Sequence, residues 1–198
     1  MNVSERSLQL DAFRVEDWVP EGPAVLSIGN DGRLVIDSLE GGSTIWYKPQ
    51  TFTGDINITW ETMAVEPMGK NNLNFIFHAV NADDSDVLTN TTERTGHYPE
   101  YHRFPNYIVT FVGPAPDEGY TRLRRNPGFE LVSDNTGIRA ELGKRYEINI
   151  GCRSGRITVN INGKTVHDYV DPKPLTAGRL GIRTWQTKLE VYKLKVSM

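Results

Sequence analysis

Apolar and polar residues alternate with a period of two along most of the chain, which predicts β-strands that bury one face. Between residues 55 and 64, for example, Ile56, Ile58 and Trp60 share one predicted face, and polar side chains occupy the other. No window of twelve or more residues carries a helical stripe. The predicted strands occupy residues 25–29, 33–37, 43–47, 55–64, 72–80, 106–112, 120–125, 129–133, 145–152, 156–161, 164–169, 178–184 and 188–196.

Turn signals separate these strands, as at Asn30-Asp31-Gly32 and Asn162-Gly163. About a dozen short strands joined by turns predict an all-β fold, a sandwich or jelly roll of two antiparallel sheets. The chain has no internal repeat, linker or low-complexity segment, so residues 1–198 are predicted to form one domain.

Charge and composition narrow the possible partners. The formal net charge is -3, which argues against nucleic acid because phosphate binding needs a basic surface. The single cysteine, Cys152, excludes an intramolecular disulfide and is expected to be a buried strand thiol. The chain shows neither a secretory leader nor the roughly 20 apolar residues of a membrane span, so we expect a cytoplasmic protein without membrane contact. The oligomeric state stays open.

The alternation stops between residues 81 and 105, and long irregular segments in compact domains are commonly functional. The end of this segment, with the start of the next strand, is rich in chemistry: residues 94–107 contain two imidazoles, three phenols, one carboxylate and two guanidinium groups. Aromatic faces stack on sugar rings, while arginine donates to hydroxyl and carboxylate groups. The candidate site residues here are Arg94, Tyr98, Glu100, Tyr101, His102, Arg103 and Tyr107. The alternative is that Tyr98, Tyr101 and Phe104 only pin the loop to the sheet.

Two predicted strands add polar groups to this candidate site. Alternation places Arg122 and Arg124 on one face, where they could bind an anionic sugar such as a uronate. A charged edge strand explains the same pattern equally well. Asn74 and His78 share a face of another strand and could line the same concave sheet, although a core histidine is comparably favoured. Among the tryptophans, Trp185 is the best candidate for exposure.

Several other chemistries lack their motifs. The chain has no glycine-rich phosphate loop, no paired His/Cys spacing for zinc and no nucleophile elbow. The acidic run that includes Asp83 and Asp86 lacks the glycine and distal glutamate of a calcium loop. We therefore expect no cofactor and no metal ligand set.

Two segments resemble a known family. The run Arg94-Thr95-Gly96-x-Tyr98-Pro99-Glu100-Tyr101-His102 and the run Leu123-Arg124-Arg125-x-x-Gly128-Phe129 look like the YesU-like proteins, and the likeness extends from about Trp46 to the end of the chain. The resemblance implies a concanavalin A-like or galectin-like sandwich. It also implies a setting in the degradation of rhamnogalacturonan or another acidic glycan, such as those of plant cell walls.

The leading functional hypothesis is a carbohydrate-active enzyme that cleaves uronate-containing oligosaccharides by β-elimination. A guanidinium would neutralise the uronate carboxylate, a base would remove the proton on the adjacent ring carbon, and an acid would protonate the leaving oxygen. The candidates for these roles are, in order, Arg124 with Arg103 or Arg122, then His102 or Tyr101, then Tyr98 or Tyr107.

Two alternatives use the same cluster. A glycoside hydrolase would rely on Glu100 and a second carboxylate such as Glu61. A lectin-like binding module would hold the sugar without cleaving it. An enzyme is favoured because two histidines and three tyrosines exceed what sugar stacking requires.

Overall fold

The structure is a computed structural model that describes residues 7–67, 72–113 and 118–198. The first six residues, on which the expectation of no leader partly rests, lie outside this range. Within the described residues there are three short 3-10 helices and no α-helix, and none of the helices is long and apolar enough to cross a membrane. The strands are β1 (Ser7–Leu10), β2 (Trp18–Glu21), β3 (Val25–Ile28), β4 (Leu34–Tyr47), β5 (Phe52–Thr53), β6 (Ile56–Pro67), β7 (Asn72–Ala79), β8 (Asn106–Val112), β9 (Tyr120–Asn126), β10 (Glu130–Asn135), β11 (Arg145–Arg153), β12 (Arg156–Ile161), β13 (Lys164–Val170) and β14 (Ala177–Ser197).

These strands form a concanavalin A-like jelly-roll sandwich of two antiparallel sheets; the alternation predicted the sandwich, and the family resemblance implied its concanavalin A-like type. The front sheet runs β10-β9-β8-β7, continues through the first half of β14 and the second half of β4, and ends at β2. The back sheet runs β13-β12-β11-β6, followed by the second half of β14 and the first half of β4. Strands β4 and β14 therefore belong to both sheets.

Strand β14 passes from the front sheet to the back sheet at Gln186. The register with β4 shifts between Trp185 and Thr187, and Gln186 has a positive φ of 46°. Such a bulge bends a strand and lets it change sheets. The sequence pattern predicted two separate strands here, at 178–184 and 188–196, because the bulge interrupts the alternation just as a loop would. The same correction applies to β4, predicted as 33–37 and 43–47.

The main core lies between the two sheets. Strand β7 contributes Leu73, Phe75 and Phe77 to it, and β6 contributes Trp60, all at most 1% exposed. Cys152 is also buried in this core, as expected, and burial raises the pKa of its thiol to about 11. The cysteine is therefore a packed, unreactive thiol at neutral pH.

A second, smaller core lies on the opposite face of the front sheet, where residues 81–105 cover part of the sheet. The buried side chains of this core are Trp46, Ile76, Ala79, Val87, Tyr101, Phe104 and Ile108. Three of them, Val87, Tyr101 and Phe104, come from the irregular segment itself. The segment is thus a packed layer over half of one sheet face, and the other half of that face stays open.

Candidate functional site: a groove on the open half of the front sheet

A buried ion pair fastens residues 81–105 to the front sheet. Arg94 donates from Nε and Nη2 to Oε1 of Glu21 on β2, at 2.8 and 2.6 Å. Glu21 is 1% exposed, and its Oε2 accepts a hydrogen bond of 2.7 Å from the Tyr101 hydroxyl. Burial raises the pKa of Tyr101 far above its usual value, and the charge of Glu21 acts in the same direction. Arg94 and Tyr101 therefore hold the loop against the sheet.

A second ion pair anchors the start of the same segment. Arg179 on β14 donates from Nε and Nη2 to the carboxylate of Asp86, at 2.7 and 2.6 Å. Its Nη1 donates to the main-chain oxygens of Tyr47, Lys48 and Gln50. The guanidinium lowers the pKa of the Asp86 carboxyl. The loop is therefore tied to both β2 and β14 by charged hydrogen bonds, which are roughly twice as strong as neutral ones.

Glu100 shapes the end of the loop. Its Oε2 accepts from the backbone N–H of Thr95 at 2.9 Å and of His97 at 3.2 Å, and its Oε1 accepts from the Thr95 hydroxyl. Between them, Gly96 has a φ of +85° and lies so close to β4 that a Cβ there would come within 2.2 Å of the Gly42 carbonyl oxygen. This turn sets the position of the side chains that follow it.

The loop forms one wall of a groove of about 400 Å³, and the open half of the front sheet forms its floor. Strands β7, β8, β9 and β14 contribute to the floor, and the β9–β10 turn closes one end. The lining residues are Asn72, Asn74, His97, Tyr98, Thr110, Tyr120, Arg122, Arg124, Phe129, Arg183 and Trp185. The loop and the β9–β10 hairpin meet here, since the Tyr98 and Phe129 ring centroids are 5.9 Å apart.

Three guanidinium groups converge on the groove, and none of the lining residues carries a carboxylate. Arg122 donates from Nε to Asp134 at 3.2 Å, at the margin of the groove. Arg124 donates to the main-chain oxygen of Phe129 at 3.0 Å, and burial lowers its pKa. Neither Arg124 nor Arg183 pairs with a carboxylate anywhere in the described ranges. The groove is therefore a cationic site.

Arg183 is the most deeply buried of these cations. It is 3% exposed, and burial lowers the pKa of its guanidinium. Its Nη2 donates to the main-chain oxygen of Gly96 at 3.2 Å, and the guanidinium lies 4.5 Å from the Tyr98 ring centroid. Within the described chain, Nε of Arg183 and Oδ1 of Asn74 are buried without a hydrogen-bond partner. Buried polar atoms are normally satisfied, so both atoms are candidates to contact a ligand or water.

Aromatic rings complete the groove. Phe129 and Trp185 are 40% and 41% exposed, and they are the two aromatic rings among the exposed large apolar side chains of the described residues. Phe129 has a φ of +60°, an uncommon value for a non-glycine residue, and its ring lies 3.6 Å below the Arg124 guanidinium. The His102 ring stacks against Phe129 at 3.8 Å and meets the edge of Tyr98 at 4.4 Å. Phe129 and Tyr98 therefore stand as a supported aromatic wall.

Four of the sequence-predicted site residues lie together in the groove: Asn74, Tyr98, Arg122 and Arg124. His102 supports the wall from behind instead of lining it. Burial lowers the pKa of His102 to about 4, with further contributions from Arg124 and Arg183. The imidazole is therefore neutral at pH 7 and packed between two rings.

The other predicted residues lie elsewhere. Tyr107 points into the main core, where its hydroxyl donates to Asp171 at 2.5 Å. His78 is fully buried beside Phe77 and Tyr107 because its positive φ of 49° turns it away from the Asn74 face, and burial lowers its pKa to about 4. The remaining three residues lie outside the groove lining: Arg94, Glu100 and Arg103 border a separate surface depression.

Arg183, the central cation of the groove, was not among the residues predicted from the sequence. A signal for it existed, because Arg179 and Arg183 alternate with Leu180 and Ile182, so both arginines occupy the strand face opposite the core. No three His, Cys, Asp or Glu side chains of the described residues group into a metal site.

The fold and its open groove place the chain in the class of galectin-like β-sandwiches. It is similar over 96% of its length to a crystal structure of a protein of unknown function with a galectin-like fold from Bacillus subtilis, of which it covers 94%, with a TM-score of 0.81 and 22% identity. It is also similar to a carbohydrate binding module, CBM66, from Bacillus subtilis, with a TM-score of 0.61 and 12% identity over 90% of this chain and 94% of that one.

Residues 36–194 match the family described as Domain of unknown function (DUF6250), and the chain belongs to this family. Among curated proteins, it is similar to the uncharacterized protein YesU of Bacillus subtilis (strain 168), with 24% identity over an alignment of 193 residues; the match covers 90% of this chain and 87% of YesU. This similarity confirms that the chain is related to YesU, as the two sequence segments indicated.

Proposed function

We propose that the groove binds an acidic oligosaccharide, with the carboxylate of a uronate residue held by Arg183 and Arg124. The observation that carries the proposal is the buried Arg183 guanidinium, which has one main-chain acceptor and no carboxylate partner in the described chain. A buried cation without a counter-charge is costly, and an incoming carboxylate would offset that cost. Preformed guanidinium forks suit carboxylate geometry better than lysine would.

The neutral part of the ligand would meet the aromatic and amide groups. Exposed rings of Phe129 and Trp185 present flat apolar faces of the kind that stack on sugar rings. Asn74 offers a buried, unpartnered Oδ1 that can accept a hydrogen bond from a sugar hydroxyl. The similar fold of a carbohydrate binding module supports a sugar ligand over other anions.

A second candidate function, β-elimination, is favoured by the presence of a phenol next to the central cation. The Tyr98 hydroxyl lies 3.3 Å from Oγ1 of Thr110 on the groove floor, and the Arg183 guanidinium lies 4.5 Å from the Tyr98 ring. In this reaction Arg183 and Arg124 would neutralise the carboxylate and stabilise the enediolate. Tyr98, acting as the phenolate, would take the proton from the ring carbon that bears the carboxylate and become the neutral phenol.

The remaining steps of the elimination form a ring double bond and release the leaving group. The electron pair of the broken C–H bond forms a ring double bond, and the glycosidic C–O bond breaks. The leaving oxygen takes a proton from a groove acid, for which His97 in its imidazolium form is the available side chain. His102, Tyr101 and Tyr107, the other groups considered from sequence, are packed away from the groove lining.

Glycoside hydrolysis has less support from the groove. That chemistry requires two carboxyl groups about 5–10 Å apart across the scissile bond, and the groove lining contains none. Glu100 is bound to Thr95 and His97 within the loop. Glu61 lies on β6 of the back sheet, paired with Arg145.

The test is calorimetric titration with uronate oligosaccharides and with their neutral counterparts. We expect the acidic ligands alone to bind, and Arg183→Met to weaken binding roughly 10- to 100-fold, as expected for a charged hydrogen bond of about 1.5–3 kcal/mol. Arg183→Lys keeps the charge and should lose less, and Arg124→Met tests a less buried member of the site. The matched control is Arg156→Met on the back sheet, which should bind like wild type.

Two outcomes would overturn the proposal: equal binding of neutral and acidic ligands, or unchanged affinity in both groove variants. Elimination is assayed on the same oligosaccharides by the ultraviolet absorbance of an unsaturated uronate. Tyr98→Phe should abolish turnover while binding persists. If wild type binds tightly and no absorbance develops, the protein is a binding module and the elimination hypothesis fails.

A further inference from the structure

A second cavity of about 340 Å³ adjoins the groove and shares its central residues. His97, Arg183 and Trp185 line both cavities. The other lining residues of the second cavity are Pro23, Glu40, Gly41, Gly42, Thr95 and Gly96. The two cavities therefore form a continuous surface, with the Arg183 guanidinium and the Trp185 ring at their junction.

The two cavities differ in charge. The first has Arg122 and Arg124 in addition to the shared Arg183, and no carboxylate among its lining residues. The second adds no cation to Arg183 and carries one carboxylate, Glu40, which is exposed. In the described chain the Glu40 carboxylate has no ion-pair partner. A carboxylate bound in the second cavity would therefore face repulsion that one in the first would not.

The walls of the second cavity also differ in kind. Three glycines, Gly41, Gly42 and Gly96, bring main chain to its surface, and Pro23 adds an apolar edge. Nη2 of Arg183 points to this side, since it donates to the Gly96 carbonyl oxygen. Main-chain groups and a carboxylate recognise hydroxyl groups well, because both supply hydrogen-bond acceptors.

We infer that the combined site takes two adjoining sugar residues of unlike charge, a uronate in the first cavity and a neutral residue in the second. The inference rests on the proposed function and deepens it by naming the substrate class: oligosaccharides in which an acidic residue is linked to a neutral one. Trp185, 41% exposed at the junction, offers its ring to both sugars. An oligomer made only of uronates would place its second carboxylate beside Glu40.

The experiment compares three ligands by titration calorimetry: a uronate methyl glycoside, a uronate–neutral disaccharide and a uronate–uronate disaccharide. For wild type at low salt we expect the mixed disaccharide to bind about two- to fivefold more tightly than the diuronate, the size expected of one exposed charge interaction. Glu40→Lys should remove or reverse this preference, because it replaces the repulsion with attraction. The control Glu147→Lys makes the same charge change on β11 of the back sheet and should leave the preference unchanged.

The outcomes separate this inference from the function on which it rests. If the methyl glycoside binds but wild type binds both disaccharides equally, or prefers the diuronate, the two-cavity inference is wrong and uronate binding stands. The two-cavity inference is also wrong if Glu40→Lys leaves the preference intact. If no uronate ligand binds, both proposals fall.

Discussion

The substitution Arg94→Met is expected to lower the free energy of unfolding, although Arg94 is not a lining residue of the groove. It removes the guanidinium that donates twice to Oε1 of Glu21, at 2.8 and 2.6 Å. The Glu21 side chain is 0% exposed, so its carboxylate would stay buried. Among side chains of the described residues, it would keep the hydrogen bond from the Tyr101 hydroxyl. Breaking a buried ion pair in this way costs about 3–5 kcal/mol, because the remaining charge is uncompensated.

The stability lost in Arg94→Met is large enough to measure by thermal and urea unfolding. In a domain of 150–250 residues each kcal/mol shifts the melting temperature by about 2–4 °C, so the expected decrease is about 6–20 °C. Urea unfolding followed by circular dichroism gives the free energy directly. The control is Arg156→Met, which breaks an exposed pair with Asp168 and should change the midpoint little.

A double variant tests the cause. Glu21→Gln combined with Arg94→Met removes the stranded charge and should recover part of the lost stability. If Arg94→Met costs less than about 1 kcal/mol, the ion pair does not fasten the loop and the reasoning fails. If stability is unchanged while oligosaccharide affinity falls, Arg94 would return as a ligand-binding residue, as the sequence first suggested.

Two further predictions concern pH and the loop turn. Burial lowers the pKa of His78 and of His167 to about 4, below the unfolded value near 6.5. Between these pH values the unfolded chain binds more protons than the folded one, so the free energy of unfolding should fall as the pH drops from about 6.5 to 4. The decrease should be up to about 1.4 kcal/mol per pH unit for each imidazole. Urea unfolding at pH 7, 6 and 5 measures it, and a free energy that does not change with pH would contradict the prediction. Gly96→Ala should lower the melting temperature and oligosaccharide affinity, because its Cβ would lie 2.2 Å from a carbonyl oxygen of β4. Gly54→Ala, with a similar φ of +76° but no neighbour within 4 Å, isolates the conformational cost and should do much less damage.

The sequence predicted the sandwich because alternation depends on burial, and burial is the property that the two sheets share. It also assigned the irregular segment and the segment that carries Arg122 and Arg124 to one candidate site, and the Tyr98 and Phe129 rings of these two parts lie 5.9 Å apart. It could not reveal that β14 is one strand bent at Gln186. A bulge and a loop interrupt the alternation in the same way, and the hydrogen bonds that distinguish them are long-range.

The errors in the candidate site have a common physical origin. Tyr101 and Tyr107 were predicted to lie in the site because they are close in sequence to other candidate residues. Adjacent residues on a strand or in a tight turn, however, point to opposite sides. His78 was assigned the face of Asn74, but its positive φ breaks the alternation at that residue. Backbone conformation of this kind leaves little trace in a single sequence, because histidine does not demand it.

The aromatic and charged residues of the loop thus serve two purposes on one face of the front sheet: some anchor the loop and others line the groove. Tyr101 and Arg94 face the sheet and bury a polar contact with Glu21, whereas Tyr98, a few residues away, faces the open half. If the loop served only to cover the sheet, a buried Arg183 without a counter-charge would be an uncompensated cost. A loop that only bound ligand would not need a carboxylate buried beneath it. Because both features occur together, rigidity of the loop and unsatisfied charge in the groove are parts of one arrangement: the first holds the cations in place, and the second leaves them available to an anion.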